Sequence, residues 1–408
     1  MKHLTSILLV LVFTFSITSC SKSPTDPTER TVRELTSVEK HLVESDNSFG
    51  LKVFQEINKD EKDKNVFISP LSISMALGMT LNGANGETKQ AMQNTLELAG
   101  LSDQQINENY KSLIDLLVGL DPKVNFQIAN SIWYRNTMTF EQSFLDVNKN
   151  FFNAEVAGLD FSNPQSINII NAWVENKTNS KIKQIIDSID PMSVMFLINA
   201  IYFKGTWTYE FEKNKTQDGF FNLPDGSQVP CKMMAQAGDF SYFATDDFQA
   251  IDLPYGDELY SMTVFLPSRQ TDLDALIAML TPENWNTWVS QFSAIEADLY
   301  FPKFKLDYEI KLNDVLIALG MENPFDPSQA DFTRLYKNGG LYIDNVKHKS
   351  FVEVNEEGTE AAAVTVVDMR LTSVGDHLFL RVDRPFVFVI RENHSGTILF
   401  IGKIVDPS

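Results

Sequence analysis

The sequence predicts an α+β protein built as one large unit. Helical patterns crowd the first third of the chain, and strand-like apolar runs joined by turns follow, such as residues 260–266 and 387–391. Hydrophobic residues make up 43% of the 408 positions and 30 are Phe, enough for one large packed core and against global disorder. No internal repeat is visible.

The N-terminus reads as a targeting segment. Lys2 and His3 precede an apolar stretch over residues 4–17, the length of a signal-peptide core rather than of a membrane span. Ile17-Thr18-Ser19-Cys20 resembles the bacterial lipoprotein cleavage box. That resemblance implies removal of residues 1–19, lipidation of Cys20 and anchoring to a membrane of a bacterial cell envelope, with the outer membrane expected. Residues 21–38 are rich in Ser, Thr, Pro and charge and read as a tether, so the folded domain is expected over 39–408. Asn47 or Ser48 is expected to cap its first helix, which carries Phe49, Leu51, Val53, Phe54 and Ile57 on one side. A short strand at 66–68 runs into Ser69-Pro70, where proline suits a first helical turn. The helix after it is apolar on most sides and should be deeply buried. Asn82-Gly83-Ala84-Asn85-Gly86 ends that helix, and Glu87 begins another.

Composition and motifs exclude several functions. The 34 Lys and Arg stand against 54 Asp and Glu, a net charge of −20 unsuited to gripping phosphates, so no nucleic-acid partner is expected. Cys20 and Cys231 are too few for a disulfide framework, and Cys231 reads as an inert small hydrophobe. There is no Gly-x-Ser-x-Gly, His-Glu-x-x-His, phosphate-binding glycine loop or Cys-x-x-Cys, and the five histidines lack metal-ligand spacing. No enzyme activity, cofactor or metal is expected. His348, in an apolar strand context, reads as a satisfied core histidine.

One stretch reads as a strand with nowhere to pair. Glu356 and Glu357 precede Gly358, a flexible pivot. After it, Glu360 apart, Thr359, Ala361, Ala362, Ala363, Val364, Thr365, Val366 and Val367 are small or β-branched and fit a pleated surface. Residues 368–376 read as exposed loop. Alternation sorts this stretch into two faces. Thr359, Ala361, Ala363, Thr365, Val367 and Met369 are uncharged, whereas Glu360, Asp368 and Arg370 share the other face with Ala362, Val364 and Val366.

Blocks along the chain resemble the serpin family. They include Ser69-Pro70-Leu71-Ser72-Ile73, Gly83-Ala84-Asn85-Gly86-Glu87-Thr88 and Ala129-Asn130-Ser131-Ile132-Trp133. Asn199-Ala200-Ile201-Tyr202-Phe203-Lys204-Gly205-Thr206-Trp207, Leu253-Pro254-Tyr255, Phe301-Pro302-Lys303-Phe304-Lys305 and the hinge at 356–363 continue in family order, closing with Asp383-Arg384-Pro385-Phe386 and Phe400-Ile401-Gly402-Lys403. The similarity covers about residues 45–408. It implies three β-sheets, about eight or nine helices and an exposed reactive-centre loop over about 356–378. It also implies inhibition as a suicide substrate: a serine or cysteine protease cleaves the loop, and the freed segment inserts into the main sheet while the protease is held as an acyl-enzyme. Ser69, Ser72, Asn199, Lys204 and His348 match positions around the gate of that sheet. Counting from the hinge places the cleaved bond at Thr372-Ser373, whereas counting back from Pro385 places it near Val374. Met369, Arg370 and Leu371 are the remaining candidates. Trypsin-, elastase- and subtilisin-like proteases are the partners implied, and the chain is expected to be a monomer. The rival reading is a non-inhibitory serpin acting as a binding or chaperone-like surface protein.

Overall fold

Ser69 starts the helix on which both sheets rest. Its hydroxyl accepts the amide of Ser72, Pro70 sits in the first turn, and the helix α2 (Pro70–Leu81) is buried along nearly its whole length. The computed structural model describes residues 32–359 and 378–408. Residues 35–408 form one unit.

The first helix, α1 (Ser37–Asp60), starts earlier than Asn47. Thr36 caps it in a reciprocal capping box with Glu39, and Leu35 is already buried. Asn47 and Ser48 lie mid-helix. The Asn47 amide is used across the fold instead, donating to Gly396 O at 2.8 Å and accepting from Ile398 N at 2.9 Å. The residue that resembled a cap is therefore a tertiary clamp. Where α1 crosses α2 the helices nearly touch: a Cβ on Gly50 would lie 2.4 Å from Pro70 Cβ.

Between and after these helices come β1 (Val66–Ile68), α3 (Gly86–Thr95), α4 (Asp103–Leu117), β2 (Val124–Arg135), α5 (Gln142–Phe152), β3 (Glu155–Leu159), α6 (Gln165–Lys177) and β4 (Met195–Thr206). The second half continues with β5 (Gln217–Asn222), β6 (Gln228–Ala244), β7 (Phe248–Tyr255), β8 (Tyr260–Pro267), α7 (Leu273–Met279), α8 (Pro282–Val289), β9 (Ser293–Pro302), β10 (Phe304–Lys311) and α9 (Asn313–Ala318). Then follow β11 (Lys347–Asn355), β12 (Gly358–Thr359), β13 (Leu378–Arg381), β14 (Phe386–Glu392) and β15 (Ile398–Ile404). The nine α-helices among the described residues agree with the expected number.

Among the described residues the strands form two hydrogen-bonded sheets, and the third of the three expected is not resolved as a sheet of its own. One has six strands in the order β10-β11-β12-β4-β2-β3; the other has nine. The difference comes from the 17-residue β6. It pairs with β5 through residues 228–233, with β9 through 233–242 and with β7 through 241–244, so what would be two smaller sheets share one strand.

The core lies where α1 and α2 meet these sheets. Phe67 of β1 stacks on Phe388 and Phe400 at 5.5 and 5.1 Å. Three helices converge on Asp46 of α1, which is fully buried. Tyr110 of α4 donates to its Oδ1 at 3.1 Å, and its Oδ2 has no hydrogen-bond partner among the described residues. Burial pushes this carboxyl up to about 7 against the opposing pull of the Ser74 and Tyr110 hydroxyls. On the opposite face of the six-stranded sheet, α6 packs Ile170, Trp173 and Val174 over Trp133, Ile198 and Ala200.

Candidate functional site: the hinge and its acceptor lane

The stretch read as an unpaired strand has partners at its start. Gly358 and Thr359 form β12 and pair on both sides. Thr359 faces Val354 of β11 and Gly205 of β4, and Gly358 faces Asn355 and Thr206. Isolated sequence gave no sign of this, because a two-residue strand has no periodicity to read.

Glycine is required at 358. Its φ is +145°, and a Cβ there would lie 2.1 Å from Gly205 O. Thr359 is 2% exposed, and its hydroxyl bonds Tyr255 Oη at 2.7 Å. Tyr255 in turn stacks on Trp207, centroids 4.3 Å apart and rings 13° from parallel. Trp207 grips the turn that leads into β12: its amide donates to Glu357 O and its Nε1 to Asn355 O, both at 2.9 Å. The Phe211 amide donates to Glu356 O at 2.9 Å.

Both glutamates in front of the glycine are buried and paired. Glu356 receives Lys303 and the Thr216 hydroxyl at 2.8 Å each. Burial alone would raise the Glu356 pKa, but these bonds hold it below the usual carboxylate range. Glu357 forms an ion pair with Lys213, whose ammonium it holds charged to higher pH.

Beyond β12 the flanking strands do not pair with each other. Both are antiparallel to β12, hence parallel to one another. Among the described residues the only ladder linking them runs through Gly358 and Thr359. Two strand spacings, about 9.6 Å, therefore separate β4 from β11 at this end. The alternation along β11 leaves His348, Ser350, Val352 and Val354 buried on the Thr359 side and Lys347, Lys349, Phe351 and Glu353 half-buried on the other.

The expected gate residues gather at the middle and base of this lane. Ser69 caps α2 and Ser72 sits in its first turn, and the Ser69 hydroxyl donates to Leu399 O at 2.7 Å. His348 is buried, and its Nε2 accepts the Ser69 amide at 3.1 Å. Burial with no acidic partner pushes this imidazole down to about 4, so it is neutral with its proton on Nδ1. Asn199 of β4 donates to Asn130 Oδ1 at 2.7 Å, whereas its own Oδ1 is buried without a hydrogen-bond partner among the described residues. Lys204 lies nearer the hinge, opposite Asn125 of β2. The expected core role of His348 agrees with this placement. Trp207, Tyr255, Lys213, Thr216 and Lys303 were not singled out as site residues. Trp207, Tyr255 and Lys303 fall inside the resembling blocks, but their partners stand far off in sequence, so no local pattern marks the pairings.

Cys20, Glu360, Ala361, Ala362, Ala363, Met369, Arg370, Leu371, Thr372, Ser373 and Val374 lie outside the described residues. Among the described residues no group of three or more His, Cys, Asp or Glu side chains is placed to hold a metal ion. No helix there is long and apolar enough to cross a membrane.

The family profile of the serpins (serine protease inhibitors) matches residues 44–407. The chain belongs to the serpin family. Its curated relatives include human Serpin B11, 34% identical over 382 residues that span 88% of this chain and 97% of that one. Chicken (Gallus gallus) neuroserpin is also 34% identical, over 88% of this chain and 90% of its own. Among solved structures, the thermophilic serpin tengpin in its native state superposes with a TM-score of 0.83 at 31% identity, covering 92% of this chain and 96% of tengpin. Human thyroxine-binding globulin, solved in complex with thyroxine, also reaches 0.83, at 27% identity over 91% of this chain and 100% of its own. Serpins are generally inhibitors rather than enzymes, and the α+β architecture is theirs.

Proposed function

We propose that this serpin inhibits proteases as a suicide substrate, with β4 and β11 receiving its cleaved loop. The observation that carries the reading is the register of β12. Thr359 faces Gly205 and Val354, so each later residue of an entering strand would face one residue earlier in both neighbours. On that register Ala361, Ala363 and Thr365 fall on the buried side beside Val352, Ser350 and His348. Thr365 would reach the level where the Asn199 Oδ1 lacks a partner. Glu360 falls on the other side, beside Lys204. The lane along β4 ends at Met195, which corresponds to Met369. A strand from 359 to 369 spans about 33 Å, so the protease would be carried that far along the sheet.

The chemistry follows from that displacement. The protease nucleophile attacks the carbonyl of Thr372, the best-placed bait on the hinge count. An acyl-enzyme forms, and Ser373 becomes a new amino terminus. Insertion then pulls the acyl bond and the protease active site apart from their working geometry before water completes hydrolysis. The uninserted state persists because it is separated from the inserted one by a kinetic barrier. We further propose that Cys20 is the lipidated first residue of the mature chain and anchors it to the bacterial outer membrane.

Incubation with trypsin-, elastase- and subtilisin-like proteases tests the inhibitory reading. A covalent complex that survives SDS, together with a released peptide beginning at Ser373, is expected. Complete cleavage without complex by every protease that cuts the loop would overturn it and favour a binding role. For the anchor, the intact chain should partition into detergent on phase separation, and Cys20→Ala should move it to the aqueous phase.

A further inference from the structure

A cavity of about 470 Å³ lies between α4, α5 and the turn at 333–337, away from the hinge and lane. That is within the size range of small-molecule sites, roughly 300–1,000 Å³. Phe144, Val147 and Phe151, all on α5, give it an apolar wall. Asn82 and Asn107 also line it, both more than nine-tenths buried, and bond each other reciprocally, each Nδ2 to the other's Oδ1 at 2.9 Å. The second N–H of Asn107 Nδ2 meets no acceptor among the described residues.

Two acids and two cations line it, and one of the cations has its charge to spare. Asp103 is already bonded twice, to Lys89 at 2.6 Å and to Arg334 at 2.8 Å. Burial alone would raise its carboxyl, and these two cations hold it below the usual range. Lys337 is exposed and has no ion-pair partner among the described residues. Asp103 and Glu141 balance Arg334 and Lys337 in the lining, and of the two cations only Arg334 is tied to an acid of the wall, which leaves the Lys337 ammonium to a ligand.

We propose that this cavity binds a small aromatic carboxylate, its ring against Phe144, Val147 and Phe151 and its carboxylate at Lys337 and Arg334. Aromatic faces and methyl groups fit a planar hydrocarbon body. The guanidinium and ammonium supply charge-assisted bonds that an alcohol or an amine cannot match.

Calorimetric titration of the full chain with 3-(2-naphthyl)propionate, the matching alcohol and the matching amine tests this. Saturable binding of the carboxylate is expected, about tenfold tighter than the alcohol, the difference one charge-assisted bond makes, with the amine weakest. Lys337→Glu, at an exposed position that does not touch the core, should remove that preference. Val147→Trp, checked for unchanged melting, should abolish binding of all three. Absence of saturable carboxylate binding, equal affinity for the three probes, or unchanged binding in both variants would overturn the proposal.

Discussion

Two buried side chains titrate in opposite senses over the same range of pH. His348 takes up a proton only near pH 4 in the fold, against 6.5 when unfolded. Its stabilisation is complete above pH 6.5 and is lost as the pH falls toward 4, by about 3 kcal/mol. Asp46 behaves inversely. Its folded carboxyl keeps the proton up to about pH 7, against 3.8 when unfolded, so its stabilisation is present below 3.8 and is lost as the pH rises toward 7, by about 4 kcal/mol. Between pH 4 and 6.5 the two slopes oppose each other. Melting temperatures at pH 4.5 and 6.5 check this: relative to the parent chain, Asp46→Asn should lose stability on acidification and His348→Gln should gain it. At the hinge, Thr359→Arg would place a charge where the side chain is 2% exposed. Burial without a partner costs several kcal/mol. Loop cleavage should continue while SDS-stable complex disappears, as gels of timed protease digests would report. Tyr255→Phe is milder. It leaves the Thr359 hydroxyl without its 2.7 Å partner, weakens the docked hinge by about 1 kcal/mol, and should change the fluorescence of Trp207 stacked beside it.

At the scale of the element, the two ion pairs of the hinge differ in worth. The Glu356 side chain is 8% exposed and its partner Lys303 37%. Lys213 is 63% exposed beside Glu357. Removing Lys303 strands a mostly buried carboxylate, so Lys303→Ala should cost about 2 kcal/mol, whereas Lys213→Ala, at an exposed ammonium, should cost clearly less. Thermal melting of the two variants should show that order. α2, β8 and β14 were legible in the sequence because each carried its own cap or apolar run. The buried α2 follows from Ser69-Pro70 and the apolar run behind it, and β8 and β14 from uninterrupted apolar stretches. The inward face of the hinge was legible by alternation as far as Thr359, the one such residue that the structure describes. What the sequence hid depends on distance along the chain. Lys213 and Glu357 are 144 positions apart, and the double pairing of β12 needs β4 and β11 brought together first. The start of α1 was misjudged because Asn47 looks like a cap to any local reading, while its amide serves β15.

At the scale of the molecule, the proposed reaction extends the ladder of the six-stranded sheet. Ten more residues paired along β4 would add backbone bonds worth about 1 kcal/mol each, of order 10 kcal/mol in sum. Cleavage between Met369 and Val374 should therefore raise the melting temperature sharply, measured by calorimetry before and after digestion. Thr359→Arg should remove most of that rise. This separates insertion itself from the capture of a protease.

The doubly paired β12 also bears on timing. A strand joining a sheet from outside must first find its register and close a loop, an entropic search that precedes any gain. Here Gly358 and Thr359 already hold the register on both sides, as the slider of a zip fastener holds its first teeth. In the proposed reaction insertion would begin at propagation, with no nucleus left to form. The proposed race between closing the sheet and hydrolysing the acyl bond would then be set by how fast one residue follows another.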